Sequence, residues 1–86
     1  MSQHFKMKVQ DIFIIDRKVI FAGDLEADEA QISSTDCKVL VDGVEVAQVK
    51  IEGEVMGTGH RDLWTTSPVE LKREVVVAHD VWVISV

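Results

Sequence analysis

Cysteine, proline and long apolar runs are scarce in this chain, and each shortage removes a class of protein. A single cysteine, Cys37, excludes an intramolecular disulfide, and none of the three histidines stands at a zinc-type spacing. The hydrophobic core is therefore the expected source of stability, no metal or cofactor is predicted, and a reducing, cytoplasmic compartment is the expected setting. The opening Met1-Ser2-Gln3-His4-Phe5-Lys6 lacks the apolar region of a secretory signal. No run approaches the ~18 apolar residues of a membrane helix, so no membrane association is predicted. One proline and five glycines, with 47% hydrophobic and 28% charged residues, leave the composition of a folded globule. A chain of 86 residues holds one domain, residues 1–86, and one compact core.

Positive charge is scarce beyond the first quarter. Residues 1–22 carry four basic and two acidic side chains, residues 23–86 five basic and thirteen acidic, and the net charge is −6. Binding to polyanions draws on Lys and Arg that displace counterions, so the acidic body opposes nonspecific nucleic-acid binding. Only the N-terminal segment is suited to meet a phosphate.

What the chain does have is a succession of strand signals. Phe5, Met7 and Val9 alternate with Lys6, Lys8 and Gln10, the period of two that sends one set of side chains inward. Residues 12–15 are apolar throughout, Asp16-Arg17-Lys18 breaks the run, and residues 19–22 resume it, which predicts a hairpin of β-branched and aromatic residues. Residues 27–36 read as a polar connection that pins Ile32 inward. Residues 38–41 and 44–51 flank Asp42-Gly43, a pair suited to the positive φ angles of a type I′ turn. Residues 56–62, crowded with glycine, read as a wide turn; residues 62–66 form a short strand ended by Ser67-Pro68. Residues 69–75 fit a helical turn or a bent strand, and residues 81–86 a final strand. Six or seven short strands without a long amphipathic helix predict an all-β fold, either a small closed antiparallel barrel or a sandwich.

The order Asp11, Phe13, charged turn with Arg17, β-branched strand, Gly23 and Glu26 resembles the first hairpin of domain 2 of elongation factor Tu and its relatives. The turn is one residue shorter here and lacks the family's glycines. Leu71-Lys72-Arg73-Glu74 and the Val-Ile-Ser ending are similar to the family's last strand and its approach, while the middle matches in strand rhythm alone. The resemblance implies the closed barrel, as a stand-alone domain without the family's GTPase and without catalysis of its own. It also implies a rim that in the family holds the aminoacylated end of tRNA. Carried over by position, that rim falls on Gln10, Asp11, Phe13, Ala22 and Leu63, with three of the family's polar groups lost, so the tRNA pocket is not expected to survive.

The candidate residues follow. Asp11, Phe13, Arg17 and Lys18 form a binding rim at the first hairpin, set against the plainer reading of Phe13 as core and Arg17-Lys18 as a solvated turn. On the last strand Val81 and Val83 share one face, and Trp82 and Ile84 the other; the second face is surplus to one small core and is the candidate protein interface. Residues 75–78 are a further apolar surplus. His4, His60 and His79 lack fixed partners, and Gly57-Thr58-Gly59 lacks the lysine and setting of a phosphate loop, so no enzyme is predicted. The expected function is a nonenzymatic binding or adaptor module acting on a protein partner or on a second copy, with links to translation; the alternative is RNA or tRNA binding at the hairpin rim.

Overall fold

The computed structural model describes residues 4–27, 32–56 and 61–86. Seven strands, β1 (Phe5–Ile15), β2 (Lys18–Ala27), β3 (Thr35–Val41), β4 (Val44–Ile51), β5 (Gly53–Met56), β6 (Arg61–Thr65) and β7 (Val81–Ser85), and one short helix, α1 (Arg73–Ala78), follow in chain order. All seven strands join one sheet in the order β4-β3-β7-β1-β2-β6-β5, with antiparallel pairing throughout. A single sheet leaves the sandwich without its second layer.

Alternation builds the core. Phe5, Met7 and Val9 point inward on β1, then the register slips between Val9 and Asp11 and the inward side chain becomes Ile12. That β-bulge reconciles the strict alternation at the start of β1 with the unbroken apolar run after it, since one extra residue shifts every later side chain to the opposite face. Gly23 lies across from Val9, and a Cβ there would meet the carbonyl oxygen of Lys8 at 1.9 Å. A residue without a side chain is therefore required by close backbone approach.

Both long hairpins close on two-residue turns with positive φ. Asp42 and Gly43 stand at 51° and 84°, the geometry expected for Asp-Gly, while Asp16 and Arg17 stand at 49° and 65° without any glycine. Lys18, expected in the first turn, instead opens β2 opposite Ile15.

The ladder is open, ending on β4 and β5 rather than closing into the expected barrel. The end strand β4 nevertheless touches β6, one strand in from the other end. Glu52 donates its backbone N–H to the Trp64 carbonyl at 2.9 Å, the Thr65 hydroxyl donates to the Lys50 carbonyl at 2.6 Å, and Lys50 donates its N–H to the Ser67 hydroxyl at 3.1 Å. Thr65 is fully buried and also accepts from the Ser67 N–H at 3.0 Å, so its hydroxyl is satisfied on both counts.

Two further expectations are revised. β5 occupies the start of the glycine-spaced region, where no strand was expected, and residues 57–60 lie outside the described residues. The apolar run at 75–78 belongs to α1: Val76 enters the core while Val77 stays 72% exposed. Valine is a mediocre helix former, so packing of Val76, with the Arg73 guanidinium on Asp11, is what holds these six residues in a helix. Ile32 is 2% exposed inside the core, as expected, while residues 28–31 of the connection before it lie outside the described residues.

Candidate interaction surface at the first hairpin

The bulge in β1 determines which face each later residue takes. Beyond it Ile12 and Ile14 belong to the inner face, and Asp11, Phe13 and Ile15 to the outer one. Ile14 pairs with Val19, itself a core residue, yet is 71% exposed; Phe13 and Ile15 are 42% and 55% exposed on the other face. Three successive large apolar residues thus stand exposed, Ile14 on the inner face and Phe13 and Ile15 on the outer, beside a β2 that already pairs with β6 from Val19 onward.

On the outer face a row runs Phe13, Ile20, Trp64 across β1, β2 and β6. Trp64 is half-buried, and the Lys18 ammonium lies 4.8 Å from the centre of its ring. Ile15, Ile20, Val55 and Trp64 supply the apolar lining of a groove of about 310 Å³, with Asp16, Lys18 and Glu54 at its polar positions. Glu54 is committed: it pairs with Arg61 and accepts the Ile32 N–H at 3.3 Å. Among the described residues Arg17, Lys18 and Asp16 make no ion pair with a side chain.

Asp11 does not act with the others. Its carboxylate takes the Arg73 guanidinium at 2.9 and 3.1 Å and the Ile12 N–H at 2.9 Å, so its role is to tie α1 to the bulge. The remaining positions equated with the family's rim also diverge. Gln10 donates to Asp24 at 3.0 Å, Ala22 pairs with Asp11, and Leu63 is completely buried facing the core.

Trp82 and Ile84, expected on the outer face of the last strand, are placed there. Val81 and Val83 are fully buried, and Trp82 and Ile84 face outward, half-covered. Lys6 and Lys8 place their ammonium groups 5.6 and 5.7 Å from the centre of the Trp82 ring, and Lys8 continues to Asp80 in an ion pair. Their aliphatic stems screen the indole from water, the common use of long cationic side chains over apolar surface. This face lies on the opposite side of β1 from the hairpin groove, so the two surfaces do not merge.

A polar cluster closes the β3–β4 turn against the start of β7. Asp42 accepts from the Asp80 N–H at 2.9 Å and lies 2.7 Å from His79 Nδ1, while the Asp42 N–H donates to the Asp80 carbonyl at 2.8 Å. The Asp80 N–H, and after it His79, hold the Asp42 carboxyl below its ordinary range; Lys8, and after it Trp82, do the same for Asp80. The Cys37 thiol is pushed up to about 12 by burial, which keeps it protonated and unreactive at neutral pH. Among the described residues no group of three or more His, Cys, Asp or Glu could hold a metal ion, and no helix is long and apolar enough to cross a membrane.

In comparisons with known proteins, no family model, no curated protein and no solved structure matches this chain.

Proposed function

We propose that this chain is a nonenzymatic binding module that seats a protein partner against its first hairpin. One observation carries the reading: Phe13, Ile14 and Ile15 remain 42%, 71% and 55% exposed although the domain has a complete core elsewhere. Leaving apolar surface in water is unfavourable by about 25 cal/mol per Å², and a partner that covers it recovers that free energy. The resemblance to domain 2 of the translation factors supports a barrel-like reading of the sheet, whose β4 is drawn toward β6 by Lys50 and Glu52, and points to the translation apparatus as the place to seek the partner. A free, buried Cys37 is consistent with a cytoplasmic setting.

Capture with the wild-type protein and with a Phe13→Ser/Ile14→Ser/Ile15→Ser variant tests the proposal. A partner identified by mass spectrometry should be retained by the first and lost by the second; retention of the same proteins by both would refute it. Light scattering over a range of concentrations distinguishes a second copy from a different chain as the occupant.

RNA binding at the same rim is the second reading, supported by the adjacent Arg17 and Lys18. It predicts that tRNA binding falls steeply with salt and weakens in an Arg17→Ala/Lys18→Ala variant. Against it stand the acidic body and the position of Lys18, whose ammonium already occupies the Trp64 face on which a base would stack.

A further inference from the structure

We infer that the groove between Ile20 and Trp64 receives an extended peptide segment in which an aliphatic side chain is flanked by carboxylates. The inference rests on the reading of the hairpin as a protein-binding surface and assigns the chemistry of what binds. Shape and lining come first. Ile15, Ile20, Val55 and Trp64 line an open groove of about 310 Å³ on the outer face, with room for a branched aliphatic side chain and part of the segment that carries it.

Charge then selects the neighbours of that side chain. Most ion pairs of the described residues lie elsewhere: Lys6 with Glu26, Lys8 with Asp80, Arg73 with Asp11. At the groove Glu54 is neutralised by Arg61, whereas Arg17 at the turn and Lys18 above Trp64 have no carboxylate partner among the described residues. Two cations, Arg17 and Lys18, against the one acid Asp16 give the hairpin end of the groove a positive balance in a chain whose net charge is −6, while the carboxylate of Asp62, opposite Val55, stands at the other end. An incoming carboxylate would pair with Lys18 while its neighbour fills the groove, and the ammonium could stay on the ring face as it does so. A basic segment would meet two like charges. A nucleic acid would have to displace Lys18 to stack on Trp64, and the aliphatic wall offers a base edge no hydrogen-bonding group.

Fluorescence anisotropy with labelled synthetic peptides tests this on the intact chain. The probes are alternating Leu-Glu, Leu-Lys and Ser-Glu peptides and an oligouridylate of similar length. The Leu-Glu peptide should bind best, and an Arg17→Glu/Lys18→Glu variant, with its fold verified by circular dichroism, should weaken it by roughly tenfold, as expected when two attractions become repulsions. The same variant should bind Leu-Lys more tightly than wild type does. Equal binding of Leu-Glu and Leu-Lys, indifference to the charge reversal, or no peptide binding at all would overturn the inference. If a captured partner still depended on Phe13, Ile14 and Ile15, the broader reading would stand without it. Hairpin-dependent binding of the oligouridylate in place of every peptide would overturn both.

Discussion

The seam where β4 meets β6 and the tip of the first hairpin are both built from short β-segments with polar termini, yet they dispose of their residues in opposite ways. At the seam, backbone and hydroxyl groups of Lys50, Glu52, Trp64, Thr65 and Ser67 satisfy one another, and Thr65 is fully buried. At the tip, large apolar residues remain exposed and the cations Arg17 and Lys18 have no carboxylate, among the described residues. A domain of this size has few residues to spare. Side chains that contribute little to its own folding are therefore the ones on which the proposed binding rests.

That contrast can be broken at the root of the hairpin. Gly23→Ala would drive a methyl group into the Lys8 carbonyl beside the bulge, and relief requires the β1–β2 ladder to shift. We expect destabilisation of about 3 kcal/mol or more, seen as a large drop in the denaturation midpoint with loss of hairpin-dependent binding. A change of less than about 0.5 kcal/mol would mean that the two strands lie farther apart than described.

Thr65→Val addresses the seam. It keeps the volume and removes a buried hydroxyl that donates to the Lys50 carbonyl and accepts from the Ser67 N–H, taking a partner from two part-buried backbone groups. A loss of about 1–3 kcal/mol in chemical denaturation is expected, with binding at the hairpin retained.

Arg17→Gly sharpens the comparison from the other side. Arg17 occupies the left-handed region at φ 65°, where a residue with a Cβ is at a disadvantage of about 1 kcal/mol relative to glycine. The variant should gain up to that much stability in thermal unfolding while losing part of its affinity for the Leu-Glu peptide. Stability and binding would then move in opposite directions at one residue.

Replacement of Ile14 by Ser should change stability by less than about 0.5 kcal/mol, because 71% of the side chain is already in water. A larger loss would place Ile14 in the core rather than on a binding surface. The smallest effect concerns pH. The Asp42 carboxyl is held below its ordinary 3.8 in the folded protein, so its contribution is complete above that value and fades as the pH falls through the lowered one. Asp42→Asn, which keeps a residue suited to the positive φ and removes the charge, should therefore lower the melting temperature near neutrality, and the gap between the two proteins should narrow in strong acid.

How much of this could be read in advance differs from residue to residue. The Asp42-Gly43 turn, the inward Phe5, Met7 and Val9, and the split of β7 into a buried and an outer face were legible because period and turn chemistry are local properties. β5 was missed because Gly53, with the glycines after it, reads as a loop when no partner strand is visible. The helix at 73–78 was obscured by its valines, whose preference for extended structure is overridden by the burial of Val76. Asp11 was placed at a binding rim, since nothing near it in sequence reveals Arg73, sixty-two positions away. Trp64 could be recognised as either core or surface, and only its pairing with Ile20 places it in the groove.

By itself, then, the order of residues determined an antiparallel all-β chain, its principal turns and most of its core, because alternation and positive-φ turns act over a few neighbours. Tertiary structure decided which cations are spent on the fold and which stay free, how β4 approaches β6, and where Trp64 meets the hairpin. Those outcomes depend on pairing between strands distant in sequence, and neither period nor composition carries that information.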